Sequence, residues 1–284
     1  MWSTVAERGY ALNSLQGICF ARLMSGFGAA LKEWRTRRRL SQLELALRAG
    51  TTQRHVSFME SGRSMPGRGM VVRVAESLQL PLRERNALLL TAGYAPSYPE
   101  TDLDDPALRP VMDSLRRLLD GHSPYPAIVV DRFGELVAAN DGLGILTEGV
   151  APELLEPPVN VLRLALHPRG MAPRILNFDD WAQHVLERPR QDNARAPHER
   201  HLAMLAELEG YLPHPPPVAT DHFGFAVPLR LRSSRGELSL ITAITTFATA
   251  VHVTISELRL ETFLPADSYT AEALERNTRE SGRL

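Results

Sequence analysis

The sequence predicts an all-α helix-turn-helix N-terminal domain followed by an α+β C-terminal domain. The second domain is expected to hold an antiparallel five-stranded sheet with helices packed over one face. Three observations lead there. Apolar residues recur at helical spacing from Phe27 to Ala92, with capping residues between the runs. Beyond residue 107, short alternating apolar runs are interspersed with helical ones, the pattern of a mixed fold. Residues 94–106 (YAPSYPETDLDDP) divide the two parts with three prolines and four acidic residues, a linker composition.

In the first part, Phe27, Leu31 and Trp34 fall on one helix face. Ser41 with Glu44 three residues later forms a capping-box sequence ahead of a second helix carrying Leu45, Ala46 and Ala49. Gly50 is placed to end that helix, and Thr51 or Thr52 caps a third from about Gln53 to Ser61. Val71, Val74, Ala75 and Leu78 fit a fourth helix, and Leu82 to Ala92 a fifth, closed by Gly93. A helix from Ala107 to Leu119 follows the linker.

The second part opens with two short strands, Ala127–Val130 and Glu135–Ala139, joined by a turn at Asp131–Gly134. Helices are predicted near 159–166, 173–187 and 198–209. Three more strands are predicted, from Phe225 to Leu231, Leu238 to Ile244, and Val251 to Leu260, the last with a change of parity that predicts a bulge or bend. The resulting division is 1–25 extension, 26–93 helical domain, 94–106 linker, 107–268 mixed domain and 269–284 tail. Residues 1–23 stand either as native sequence or as an extension upstream of Met24. Asn13, Gln16 and Arg22 interrupt the apolar stretch near the N-terminus and argue against a signal peptide.

The composition is that of a globular chain, 44% apolar and 23% charged, with no apolar run near the length of a membrane span. One cysteine, Cys19, excludes an intrachain disulfide and fits a reducing cytoplasm. The net charge of −1 is split unevenly: residues 26–94 hold 12 Lys and Arg against 5 Asp and Glu, and residues 95–284 hold 18 against 27. A basic first domain attracts a polyanion, whereas an acidic second domain is repelled by one. Double-stranded DNA is therefore the expected partner of the first domain.

The short turn at Gly50 sets two helices at a steep angle. The small Ala46 allows close packing, and Val56 and Met59 face inward on the third helix. The polar positions of that helix then point outward, as base readers do. Gln53, Arg54 and His55 are the expected major-groove readers, Gln suiting adenine and Arg guanine. Ser57 and Phe58 lie further along; Phe58 either touches a thymine methyl or packs at the domain edge. Gln42 and Thr52 begin their helices and suit phosphate contacts, as do Arg63 and Arg68 in the Gly62–Gly69 loop. The stretch Ser41–Arg63 resembles the helix-turn-helix of the XRE (Cro/CI-type) family, a resemblance that covers roughly 27–92 and implies a homodimer on an inverted repeat.

Residues 107–265 resemble the ligand-binding domain of MmyB-like transcription regulators. The resemblance rests on His167-Pro168-Arg169-Gly170, Arg174-Ile175-Leu176-Asn177-Phe178 with Trp181, and above all Thr246-Phe247-Ala248-Thr249-Ala250 followed by Val253 to Asp267. It implies a PAS-like fold with an apolar pocket for a fatty-acid-like ligand, and no other cofactor. Phe178, Trp181, Phe223, Phe225 and Phe247 are the candidate wall residues; each taken singly better suits a plain core, and the pocket rests on the whole arrangement. His167 and Arg174 are the expected partners of a carboxylate head; a helix C-terminal role fits His167 as well. Two alternatives stay open for this domain: a module that only dimerises or binds protein, and an enzyme. Against the enzyme stand the spacing of His198-Glu199-Arg200-His201, which departs from H-E-x-x-H, and the lack of a G-x-S-x-G or Walker sequence. The chain is expected to be a non-enzymatic regulator with no metal site and no membrane partner.

Overall fold

A computed structural model describes residues 18–212, 227–247 and 249–281. The first core is helical. Helix α1 (Ile18–Arg37) breaks at Gly26, whose φ of 71° is left-handed, and then buries Phe27, Leu31 and Trp34. Gly28 faces the end of the third helix so closely that a Cβ there would lie 2.6 Å from the carbonyl oxygens of Met59 and Glu60. Helix α2 (Gln42–Arg48) starts from the complete Ser41–Glu44 capping box, and α3 (Gln53–Glu60) from Thr52, whose hydroxyl accepts the His55 N–H at 3.2 Å. Helices α4 (Arg68–Ser77) and α5 (Leu82–Thr91) close the bundle over Leu45, Val56, Met59, Val74 and Leu88.

Residues 97–101 do not run freely between the domains. Asn86, buried on α5, accepts the N–H groups of Ser97 (2.9 Å) and Tyr98 (3.1 Å) and donates to the Tyr98 carbonyl at 2.7 Å. On the other side, the Pro99 carbonyl accepts the Val253 N–H at 2.8 Å and the Thr101 carbonyl accepts the Thr254 hydroxyl at 2.6 Å. A segment read from composition as a linker is thus hydrogen-bonded to both domains. Its prolines remove donors, but the carbonyls remain as acceptors.

Helix α6 (Arg109–Gly121) leads into strands β1 (Ala127–Val130) and β2 (Leu136–Ala139). Helices α7 (Leu143–Leu146), α8 (Val161–Leu166), α9 (Phe178–Arg195) and α10 (Glu199–Glu209) follow. Strands β3 (Leu229–Ser233) and β4 (Gly236–Thr246), the short helix α11 (Val253–Ser256), strand β5 (Arg259–Pro265) and helix α12 (Ser268–Ser281) complete the described chain. The sheet is antiparallel in the order β2-β1-β5-β4-β3. This is the expected all-α plus α+β architecture, with a five-stranded antiparallel sheet in the second domain.

Three details differ from the sequence reading. Helices cover both faces of the sheet: α7 to α10 pack on Ile128, Val130, Leu238 and Leu240, while α6 packs on Ala127, Val129 and Leu260. The expected strand at Val251–Ile255 is instead a loop and helix α11, because the Val253 N–H and Thr254 hydroxyl bond the 99–101 segment rather than a neighbouring strand. The helix expected at 173–187 begins at Phe178 and continues through Pro189 to Arg195. From Ser268 the chain is helical, and Ala273 and Leu274 are buried in the sheet-and-helix core.

Candidate DNA-reading surface and ligand cavity

Helix α3 is held by a half-buried ion pair. Glu60, at the end of α3, accepts from Arg35 Nε at 2.6 Å, Arg35 Nη2 at 3.1 Å and Gln42 Nε2 at 2.8 Å. Arg35 also donates to the Leu40 carbonyl at 2.7 Å. The Glu60 hydrogen bond raises the Arg35 pKa above the ordinary guanidinium value. One carboxylate therefore joins α1, α2 and α3. The Gln42 amide, expected as a phosphate clamp, places one of its two N–H donors on this internal contact.

Thr52, Gln53 and Arg54 are exposed on the outer side of α3. His55 and Ser57 are half-buried, and His55 Nδ1 lies 2.9 Å from the Thr51 hydroxyl. Phe58 is half-buried under two guanidinium groups, those of Arg54 (5.1 Å from the ring centroid) and Arg63 (5.8 Å), within cation–π range. The ring thus gathers two cations on the outer side of α3. Arg68 is exposed and donates to the Ser97 hydroxyl at 2.8 Å.

The second site is a cavity of about 420 Å³ between the sheet and helices α8 to α10. Ile128, Val130, Leu229 and Phe263 form its sheet wall, and Leu164, Met171, Trp181 and Met204 its helical wall. Strand alternation explains the sheet wall: on β5, Arg259, Glu261 and Phe263 share the parity that faces the cavity. Part of the lining is charged. Arg188, Asp192 and Arg195 reach it from the last two turns of α9, and Arg259 and Glu261 from β5. Arg259 donates to Asp192 at 2.5 Å. Arg188 has no hydrogen-bond partner among the described residues; burial and the adjacent Arg259 hold its pKa below the ordinary value. Burial likewise pushes the Glu261 carboxyl up.

His201 lines the same cavity at 5% exposure. Its Nε2 lies 2.8 Å from the Arg132 carbonyl, so that nitrogen carries the proton. Burial lowers its pKa, which keeps the ring neutral and leaves buried Nδ1 as an acceptor with no partner among the described residues.

The expected ligand residues are dispersed. Trp181 lines the cavity, whereas Phe178 packs at the periphery of the core. Phe247 packs on the opposite face of the sheet with the α6 cluster. Phe223 and Phe225 lie outside the described residues. His167 caps α8, its ring 4.9 Å from that of Tyr211 and its Nδ1 accepting the Arg169 N–H at 2.9 Å. Arg174 donates to the Ile145 and Arg232 carbonyls at 3.3 Å each and to the Leu146 carbonyl, tying α7 to the β3–β4 hairpin. Neither borders the cavity. The charged lining went unread although one signal was present: Arg259 and Glu261 alternate with apolar residues on the inward parity of a half-buried strand, where a plain core has no charge.

No helix of the described residues is long and apolar enough to cross a membrane. Residues 31–85 match the helix-turn-helix family model. The solved "Structure of an RNA-binding Light-Oxygen-Voltage Receptor" is similar at 13% identity, over 98% of this chain and 70% of that one, with a TM-score of 0.29. No curated protein matches the chain. Residues 111–276, more than half of the chain, match the model of the MmyB-like transcription regulator ligand binding domain. The chain belongs to that family, as a DNA-binding transcription regulator with a ligand-binding domain.

Proposed function

We propose that this regulator binds an inverted-repeat operator in the cytoplasm as a homodimer, and that its ligand is a fatty-acid-like amphipathic acid without a catalytic step. Gln53 and Arg54 read bases, with His55, Ser57 and Phe58 beside them, while Thr52, Arg63, Arg68 and the N-terminus of α2 at Gln42 face phosphates. A single short reading helix covers little DNA, and a second copy supplies the missing affinity and specificity.

One observation carries the ligand reading: the cavity is apolar along most of its wall and includes Arg188, a half-buried guanidinium with no hydrogen-bonded carboxylate among the described residues. At about 420 Å³ it falls in the range of roughly 300–1,000 Å³ usual for small-molecule sites. An acyl chain fills the apolar part, and its carboxylate meets Arg188 and Arg259. His201 Nδ1 offers an acceptor to any donor on the ligand.

Native mass spectrometry of the purified chain, followed by titration with myristate, tests this. The expected result is a bound acid of stoichiometry one per chain, lost in Arg188→Ala. A chain that carries no lipid and takes up no myristate would overturn the reading.

A further inference from the structure

The residues that line the cavity also fasten the DNA-binding domain to the ligand domain. Arg132 and Phe133, in the β1–β2 turn, both border the cavity, and the Arg132 carbonyl receives the His201 bond described above. The Arg132 guanidinium donates to Glu257 at 3.0 Å. Glu257, just after α11, also accepts from Arg83 of α5 through Nε at 2.8 Å and Nη2 at 2.9 Å. Arg83 in turn donates to Glu100 in the connecting segment. Arg83, Glu257 and Arg132 are only 19%, 17% and 14% exposed. A second fastening uses α9, whose Arg195 lines the cavity. The Arg195 carbonyl accepts from Arg38 of α1 at 3.2 Å, and Ala196 packs on the core of the helix-turn-helix domain.

We propose that these two fastenings form a clasp that fixes the recognition helix relative to the ligand domain, and that the state of the cavity rim sets whether the clasp holds. Glu257 is the joint of the first fastening: Arg132 holds it from the cavity side and Arg83 from the DNA side. Without Arg132 the carboxylate loses the group that aims it, and Arg83 loses its anchor. Asp192 governs the second. It pairs with Arg259 across the cavity, and its carbonyl accepts the Ala196 N–H at 2.9 Å in the last turn of α9. An anionic ligand competes with Asp192 for Arg259, so occupancy loosens that turn and the Arg38 contact with it. This last step rests on the acidic-ligand reading above; the clasp itself does not. Gln53 and Arg54 stay exposed while the clasp is closed, so it sets the placement of the reading surface and does not cover it. Coupling of this kind requires a ligand with different affinity for the clasped and released states.

The test is an interdomain distance distribution in the full chain. Spin labels go on two exposed positions, Leu47 of α2 (72% exposed) and Leu202 of α10 (54% exposed), with the single cysteine, Cys19, replaced by Ser. Arg132→Ala does not touch the DNA-binding domain, yet it is expected to broaden the distribution as Arg83→Ala does, with Arg83→Lys in between. A distribution in Arg132→Ala as narrow as wild type would overturn the clasp. Circular dichroism identifies a variant that fails to fold, and Glu257→Gln, which keeps the shape and removes the charge, then makes the same comparison. Saturating myristate is expected to broaden the wild-type distribution; bound myristate with no broadening would overturn the ligand step. Absence of any myristate binding refutes the acidic-ligand reading instead, and the Arg132→Ala comparison still decides the clasp.

Discussion

Glu60→Ala removes the carboxylate that joins three helices and leaves Arg35 without its charge partner. Arg35 is 13% exposed and Glu60 5%, so water replaces little of what is lost. Three charge-assisted hydrogen bonds disappear together. Breaking a buried pair by removing one partner costs about 3–5 kcal/mol, and this half-buried pair falls toward the lower end, still a large share of the roughly 5–15 kcal/mol that holds a domain folded. The exposed pair Arg37–Glu33, one helical turn apart, is the internal control, worth about 0.3–0.5 kcal/mol when broken by Glu33→Ala. Urea unfolding followed by the fluorescence of Trp34, which is 2% exposed in the same core, reads both variants. The double variant Arg35→Met with Glu60→Leu should recover much of the loss, because no buried charge then lacks a partner. A Glu60→Ala loss within about 1 kcal/mol of the Glu33→Ala loss would refute the account of this pair.

Arg54→Ala should relax preference at one base position by about 1–3 kcal/mol, whereas Arg63→Ala should weaken all sequences alike, as measured by binding to single-base operator variants; equal, sequence-independent losses would contradict the assignment. Gly28→Ala drives a Cβ to 2.6 Å from two carbonyl oxygens of α3 and should destabilise the helical domain by about 1–3 kcal/mol in denaturant titration. Burial raises the Asp131 pKa to about 6 in the fold, so its contribution to stability is full below the unfolded carboxylate pKa and is lost as pH rises through about 6. Asp131→Asn can keep the Oδ1 contacts to Phe133 and Glu135 N–H, and its stability relative to wild type should therefore climb between about pH 4 and pH 6 and level off above. His198, lowered to about 4 by burial, slopes the opposite way in both proteins and cancels in the difference. A difference independent of pH would show Asp131 to be unperturbed.

The helical domain was legible because its signals are local. Ser41, Thr52 and Gly50 each act within a few residues, and the inward set Val56 and Met59 follows from period alone. The contact between Gln42 and Glu60 was not legible, because the two are eighteen positions apart and meet only after the helices pack. The sheet was legible as alternation, but Val251–Ile255 was not: a short apolar run reads the same as strand or helix, and contacts with Pro99 and Thr101 decide it. The cavity lining was the least legible part. Arg188 and Arg259 come from elements far apart in sequence, and a long charged residue on an amphipathic helix looks like any solvated one until its neighbours are known. Arg174 shows the converse, a conspicuous arginine in a matching motif whose Nη1 and Nη2 donors are taken by backbone carbonyls.

In the proposed mechanism, a ligand in the sheet-and-helix cavity changes how the helix-turn-helix holds DNA. The most direct measurement takes an operator selected from a random pool and titrates it with the full chain, with and without saturating myristate, by fluorescence anisotropy. The expected result is a sequence-specific complex whose affinity shifts with myristate in wild type and does not shift in Arg188→Ala. An operator affinity unmoved by myristate that is bound in the cavity, or binding equal on operator and random DNA, would contradict it.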